Sequence, residues 1–417
     1  MSKASVLIIG VGNRGRAYAQ YSKYHPDRIR IVAVAEPDKI KREKFAKSFG
    51  IAKDKCFHDW REALKIDKLA DAVIISTMDG DHYEPFMLSV KKDYHILVEK
   101  PLSSNEKECV EMVEVAQKSK KIIATCHVLR YTPYFKKLKQ IIDQGDIGNI
   151  INIQAIEPIG HKHFAHSYVR GNWRKESTSG PIILTKSCHD LDIFYWLIGS
   201  RPKHVSSFGS LKYFRKENSP KGSTEYCLDG CEIEKSCPFS ARKIYLNKFN
   251  KDWPTSTITN NLTRSGILKK IKSSQFGRCV YQCDNDVCDH QVVNVEFQKE
   301  EKVSFVLSAF THGNKKDING KRQIRIMGTK GEIMGDFRFL NIYSFFNDKT
   351  KRVDTKNNSL DGKSRHGGGD YGLMHDFSES LINNNKSLMT PLTESIISHK
   401  MAFAAEESRK NKKIISM

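Results

Sequence analysis

The chain has 417 residues, 39% of them hydrophobic and 28% charged, a length for two or three domains and a composition that excludes a disordered or collagen-like protein. No run of about 18 apolar residues is available to cross a membrane. The net charge of +21 raises nucleic acid as a partner, yet the basic residues are spread along the chain, densest at 39–44, 118–121 and 409–413 without interleaved aromatics, so they read as a solvated face and nucleic acid is not expected.

In chain order, the apolar run at 6–9 leads straight into glycines with no cleavage site, so it reads as a strand of a soluble, cytoplasmic protein and not as a secretory leader. A helix follows at 14–23, a strand at 29–35, a helix at 38–49, a strand at 72–76 and a helix at 82–92. The series continues with a strand at 95–98, a helix at 105–118 and a strand at 122–126. Fully apolar strands alternating with helices imply a parallel sheet covered on both faces, so residues 1–126 are expected to form a doubly wound nucleotide-binding domain. Residues 127–417 read differently: helices at 133–144 and 190–198, strands at 150–156 and 205–211, then successive strands at 292–297, 303–309, 322–327, 332–336 and 340–345. Helices at 371–384 and 393–411 follow. Strands without intervening helices imply a mostly antiparallel sheet in a second α/β domain. A polar segment at about 216–289 has weak periodicity and reads as an insertion.

Gly10-Val11-Gly12-Asn13-Arg14-Gly15 joins the first strand to the first helix. Gly10 permits a tight turn, Gly12 lets backbone approach a pyrophosphate, and Gly15 lets the helix pack on the strand. Glu36 ends the second strand 21 residues after Gly15. A carboxylate there accepts from ribose hydroxyls and repels a 2′-phosphate, which favours NAD over NADP, although Lys39, Lys41 and Arg42 lie close by.

Together with that loop, Val98-Glu99-Lys100-Pro101, Ile75-Ser76-Thr77 followed by His82, and Cys188-His189-Asp190-Leu191-Asp192 resemble the Gfo/Idh/MocA family over the whole chain apart from the insertion. The resemblance implies a Rossmann domain plus an α/β domain with a large open sheet that often mediates homo-oligomers. It also implies NAD(P)-dependent oxidation or reduction of a sugar, cyclitol or related polyol. Thr77, His82, Glu99 and Lys100 are then expected beside the cofactor with Gly10, Gly12, Asn13, Arg14, Gly15 and Glu36. Lys100 is expected at the reacting hydroxyl, and His189 as acceptor of its proton, since an imidazole titrates near neutrality. The family commonly has an Asp four residues before this His, where the present chain has Thr185, followed by Lys186. Lys186 is therefore a candidate both for the catalytic group and for holding substrate. Further substrate candidates are Arg130, Asp192 and the stretch with His161, His163, Tyr168, Arg170 and Trp173, rich in flat faces and donors.

Six of the ten cysteines fall in the insertion: Cys227, Cys231, Cys237, Cys279, Cys283 and Cys288. Clustered thiols in a cytoplasmic chain point to metal, so Cys227, Cys231, Cys237 and Cys279 are expected to hold Zn²⁺, with Cys283 as substitute and an iron–sulfur cluster or free thiols as alternatives. The leading expectation is an NAD-dependent sugar or polyol dehydrogenase. One rival is a glycoside hydrolase that oxidises transiently and eliminates; another is a nucleotide-bound sensor without catalysis.

Overall fold

The computed structural model describes residues 3–246, 253–312, 321–356, 366–385 and 387–417. Its first sheet comprises β1 (Ala4–Ile9), β2 (Ile29–Ala35), β3 (Cys56–Phe57), β4 (Ala72–Ile75), β5 (His95–Val98) and β6 (Ile123–Thr125). The strands run in the order β3-β2-β1-β4-β5-β6 and every pair is parallel. Helices α1 (Asn13–Tyr24), α2 (Lys39–Phe49), α3 (Trp60–Lys65), α4 (Tyr83–Lys91) and α5 (Glu106–Lys118) connect them. Strands β4 and β5 are buried along their whole length, which is why they read as unbroken apolar runs. Asp38, Asp59 and Asn105 cap α2, α3 and α5 by accepting the N–H groups of Lys41, Arg61 and Lys107. The strand order reverses between β1 and β4, and this switch point is where an open α/β sheet leaves its crevice.

The second domain starts with α6 (Pro133–Asp143), capped by Thr132 with Pro133 in the first turn. Strand β7 (Ile150–Pro158), the short helices α7 (His161–Phe164), α8 (Glu176–Ser179) and α9 (Ile182–Thr185), and then α10 (Cys188–Ile198) lead to β8 (Pro202–Ser210). Helices α11 (Ala241–Tyr245), α12 (Thr255–Ile258) and α13 (Arg264–Lys272) occupy the insertion. Beyond it lie β9 (His290–Phe297), β10 (Lys302–Ser308), β11 (Gln323–Gly328), β12 (Gly331–Gly335), β13 (Phe339–Ser344), β14 (Thr350–Asp354), α14 (Gly369–Asn383), α15 (Leu392–Asn411) and β15 (Ile415–Ser416). The nine strands order as β14-β13-β12-β11-β7-β10-β9-β8-β15, with β7 and β10 parallel and the other pairs antiparallel. One face packs on helices and the other is open, as the alternating burial along β10 records. The insertion is less polar inside than its periodicity indicates: Phe239, Tyr245, Ile271 and Val287 all join the second core. Among the described residues no helix is long and apolar enough to cross a membrane.

The last two helices return to the first sheet. Leu373, Met374 and Phe377 of α14 pack with Val6, Ile8 and Tyr18, while Leu392 and Ile396 of α15 join Val98, Leu102 and Met112 on the opposite face. Between them, Thr390 O accepts the Thr125 N–H at 3.1 Å and Pro391 bridges Ala124, so the free edge of β6 is covered.

A buried ionic clamp ties these parts together. Arg14, in the glycine loop's first helical turn, places Nε 2.6 Å from Glu99 at the end of β5 and Nη2 2.7 Å from Asp370 in the first turn of α14. The Tyr18 hydroxyl also donates to Glu99. Burial alone pushes both carboxyls up, but the charge of Arg14 outweighs it, joined at Asp370 by His366, and holds both below the ordinary range. Asp370→Asn should lower unfolding stability by about 3 kcal/mol in a urea titration, because it removes one counter-charge from a largely buried cation. Both carboxylates have depressed folded-state values. Their contribution is therefore complete above about pH 5 and is lost as the pH falls from there through the folded values, so the variant's stability should fall less steeply in acid.

Candidate active site

The cofactor cleft forms around three glycines with different roles. Gly10 has φ +84°, and a Cβ there would lie 2.6 Å from the Ser76 carbonyl oxygen; one on Gly15 would lie 2.1 Å from the carbonyl oxygen of Gly10. Nothing lies within 4 Å of a Cβ built on Gly12. That open space at the N-terminus of α1 suits a pyrophosphate facing helix N–H groups, so the residues present fit NAD. The Glu36 carboxylate accepts the N–H groups of Val11 at 2.9 Å and Asp38 at 3.0 Å, pinning the loop to the end of β2. Asn13 lies on the rim, where its side-chain oxygen accepts from Arg16. Thr77 Oγ1 donates to Asp81 O at 3.0 Å, and His82 Nδ1 meets Pro101 O at 2.7 Å, leaving a buried Nε2 without a partner. Arg14 and Glu99 reach this cleft through the clamp, each engaged by the other.

Lys100 follows β5 and points across to the second domain, where its Nζ donates to the Thr185 carbonyl oxygen at 2.6 Å. The residue that departs from the family pattern thus acts through its backbone, while its Oγ1 is buried and unpartnered. His189 stands in the first turn of α10, 8% exposed, with Nδ1 buried and unpartnered. Burial first, then Lys100, the neighbouring ring of His127, Arg322 and His366, pushes it well below the usual histidine value, so the ring is neutral with a lone pair free. Asp79, after β4, accepts from Trp173 Nε1 at 2.7 Å; burial raises its carboxyl despite the charge of Lys100.

Lys186 belongs to an ionic chain that the sequence did not disclose. Its Nζ lies 3.2 Å from Glu157 at the end of β7, Glu157 pairs with Arg322 at 2.7 Å, and Arg322 Nε reaches Asp190 at 2.7 Å. Burial lowers the Lys186 amine, partly offset by Glu157. Arg322 is 132 residues from Asp190 in the chain and sits beside a strand of another part of the fold, so no local pattern announces the pairing.

The other substrate candidates divide. Tyr168 and Trp173 lie together, with ring centroids 6.2 Å apart, and His163 stands 6.1 Å from Tyr168 and 4.8 Å from Trp253 of the insertion. His161 is half-buried beside Phe239 and His312. Arg130 and Asp192 form a buried two-point pair at 2.8 and 2.6 Å. Arg170 holds the insertion, donating to Arg278 O, Phe239 O and Cys227 Sγ.

The metal expectation is corrected. Among the described residues no group of three or more His, Cys, Asp or Glu side chains is arranged to hold a metal ion, and Cys227, Cys231, Cys237, Cys279, Cys283 and Cys288 are all free. Burial pushes the thiols of Cys237, Cys279, Cys283 and Cys288 up, which keeps them protonated, and Arg170 Nη2 donates to Cys227 Sγ at 3.5 Å. Apolar packing of Cys227, Cys279 and Cys288 in the second core supplies the staple expected of zinc.

Residues 4–127 match a family model described as the oxidoreductase family's NAD-binding Rossmann fold, and residues 139–417 match its C-terminal alpha/beta domain. The chain belongs to the GFO/IDH/MocA oxidoreductase family. Within this family it is similar to oxidoreductase YteT of Bacillus subtilis, 24% identical over 76% of this chain and 73% of that protein. It is 27% identical to myo-inositol 2-dehydrogenase of Thermotoga maritima over 49% of this chain and 58% of the enzyme. It is also 25% identical to 2,7-anhydro-N-acetylneuraminate hydratase of Escherichia coli, over 48% of this chain and 51% of that enzyme. The matched part thus spans little more than half the length of these two enzymes. In fold it resembles levoglucosan dehydrogenase in complex with NADH and levoglucosan, with TM-score 0.73, 17% identity and 100% and 99% of the two chains covered.

The glycines give a discriminating prediction. Gly12→Val, which fills the open space, should weaken NAD binding at least about tenfold by fluorescence titration while leaving Tm unchanged. Gly15→Ala should instead destabilise the fold by about 1–3 kcal/mol, read as a lowered Tm.

Proposed function

We propose that this protein is an NAD-dependent dehydrogenase acting on a secondary alcohol of a sugar, glycoside or cyclitol. One observation carries the reading: a lysine from the end of β5 and a neutral, buried histidine from α10 are brought within electrostatic reach of each other beside the NAD crevice. When bound, NAD supplies the hydride acceptor for oxidation and, reduced, the donor for the reverse reaction. Lys100, held by Thr185 O, orients the hydroxyl oxygen and stabilises negative charge building on it. His189 takes the hydroxyl proton as hydride leaves the same carbon, and its buried surroundings exclude water from the exchange. Tyr168, Trp173 and His163 offer flat faces for a sugar ring, and Lys186 offers donors at the edge of its pair with Glu157.

The charges favour an uncharged substrate. Lys186 and Arg322 are balanced by Glu157 and Asp190, so this chain of ions has no surplus cation for a carboxylate or phosphate. The names of the inositol and levoglucosan enzymes support the same class. Redox-assisted cleavage of a glycoside is the second reading, favoured by Thr185 standing where a carboxylate is common and by the likeness to a hydratase. We also propose that copies of the chain pair through the open face of the second sheet. A groove of about 630 Å³ lies there between Gln154, Asn294 and Ile414, with Phe208 exposed on the same strand as the groove-lining His204 and Ser206.

The test is absorbance of the purified protein with NAD and a panel of neutral sugars, cyclitols and glycosides. Stoichiometric NADH growth with one of them is expected. Released aglycone without NADH would select the second reading, and neither product would overturn both. With the active compound, Lys100→Ala and His189→Ala should each lower kcat about 10²–10⁴-fold while NAD affinity changes little.

A further inference from the structure

Lys100 crosses from the first domain to the second, and Trp173 crosses in the opposite direction. Its indole Nε1 donates to Asp79 Oδ2 at 2.7 Å, although the two residues are 94 apart in the chain. Asp79 opens the turn after β4, at the edge of the switch point, and is 8% exposed. An indole N–H can only donate and the carboxyl oxygen accepts, so the direction of the bond is fixed. The carboxyl has lost most of its water, and burial raises it; the charge of Lys100 and this one indole donor oppose that rise.

The segment that carries Trp173 is fastened along its backbone. On the side of the insertion, Asp286 Oδ1 accepts the Glu176 N–H at 2.7 Å, Arg174 O accepts the Asp286 N–H at 3.0 Å, and Arg174 Nε lies 3.0 Å from Asp284. From α15, Lys410 Nζ lies 2.9 Å from Glu176. Towards the first domain the fit is close, since a Cβ on Gly80 would lie 3.2 Å from Thr178 O. These contacts place the segment but do not orient the indole. The ring is partly buried on the second core, stands 6.2 Å from the Tyr168 ring, and has its nitrogen edge tied to Asp79. Tyr168 in turn is within electrostatic reach of Asp79, Glu157, Arg322 and Cys188, so the two rings stand where the cleft, the ionic chain and the start of α10 meet.

We infer that Asp79 is a positioning residue for substrate: through its bond to Nε1 it holds the Trp173 indole in one plane, as a preset flat face for the ring of a sugar or cyclitol in the cleft. The inference rests on the dehydrogenase reading of the same site. A tryptophan side chain turns about two bonds, and a tether at the nitrogen edge of its ring removes freedom that a ligand would otherwise have to remove on binding. No bond to Asp79 or Trp173 forms or breaks as hydride and proton leave the substrate. The gain therefore falls on substrate affinity and not on hydride transfer. The charge that Asp79 turns towards Lys100 is a separate effect, which every neutral substitution removes alike.

The test uses the full chain with NAD and the neutral sugar, glycoside or cyclitol that it oxidises in the assay above. Asp79→Asn keeps an acceptor oxygen for the indole and Asp79→Ala keeps none, while both lose the charge. Trp173→Phe keeps a ring without the N–H. The KM of Asp79→Ala for the substrate is expected to exceed that of Asp79→Asn about five- to tenfold, with kcat and NAD affinity of the two alike within about twofold. Trp173→Phe is expected to raise KM by about the same factor in the Asn background and by much less in the Ala background, where the tether is already gone. A bond that only braces the fold would lower Tm and leave the KM of Asn and Ala equal. That result, or an equal effect of Trp173→Phe in both backgrounds, overturns the inference while the dehydrogenase reading stands. Should Asp79→Ala fail to fold, Trp173→Phe in the wild-type chain decides, and an unchanged KM overturns the inference. A wild-type chain that oxidises no member of the panel overturns the dehydrogenase reading, and the inference with it.

Discussion

The Arg14 clamp is the constraint on which the rest of the site depends. One guanidinium joins the glycine loop, the strand end that carries Lys100, and the first turn of α14. Because Glu99 also accepts the Lys100 N–H at 2.9 Å, the position of the loop and the backbone of Lys100 are set by a single charge network. Lys100 then spans the domains to Thr185, so a shift in the loop would be felt at its contact with the second domain. Buried ion pairs are weak contributors to stability when set against well-packed apolar groups, and their value here lies in direction: they fix where elements of three chain regions meet.

The same economy governs the pocket wall. Lys186, Glu157, Arg322 and Asp190 come from four places in the chain and satisfy one another, leaving polar edges exposed without net charge. His189 and His127 are kept neutral by burial among cations. A base in such a setting keeps its lone pair unprotonated, and the imidazolium formed there is acidic and readily discharged.

Much of the first domain was legible because its signals are local. The apolar runs, the glycines and Asp38 or Asn105 before a helix each act within a few residues, and β2 and β5 fall where the pattern placed them. The short edge strands β3, β14 and β15 were not legible: two have only two residues, and β14 is polar throughout except Val353. Lys100 and His189 were singled out by motif, yet their contacts were not. Arg322, Glu157, Asp79 and His127 act through contacts between distant segments, and a lone Arg or His carries no spacing to reveal such a partner. Arg170 and the cysteines show the converse error. Spacing along the chain did not tell that several of these thiols pack in the second core and that Cys227 accepts from Arg170, and no metal-holding group is found among the described residues.

The cover of β6 has a consequence for synthesis. Residues 390 and 391 pair with that strand, and α14 and α15 lie on opposite faces of the first sheet. A ribosome makes every strand of that sheet before it starts the second domain, but the helices that finish its core emerge after most of that domain. The nucleotide domain must wait, with an uncovered edge and exposed apolar faces, until the second domain has been threaded out. The core of the nucleotide domain is therefore completed only by helices made after most of the second domain.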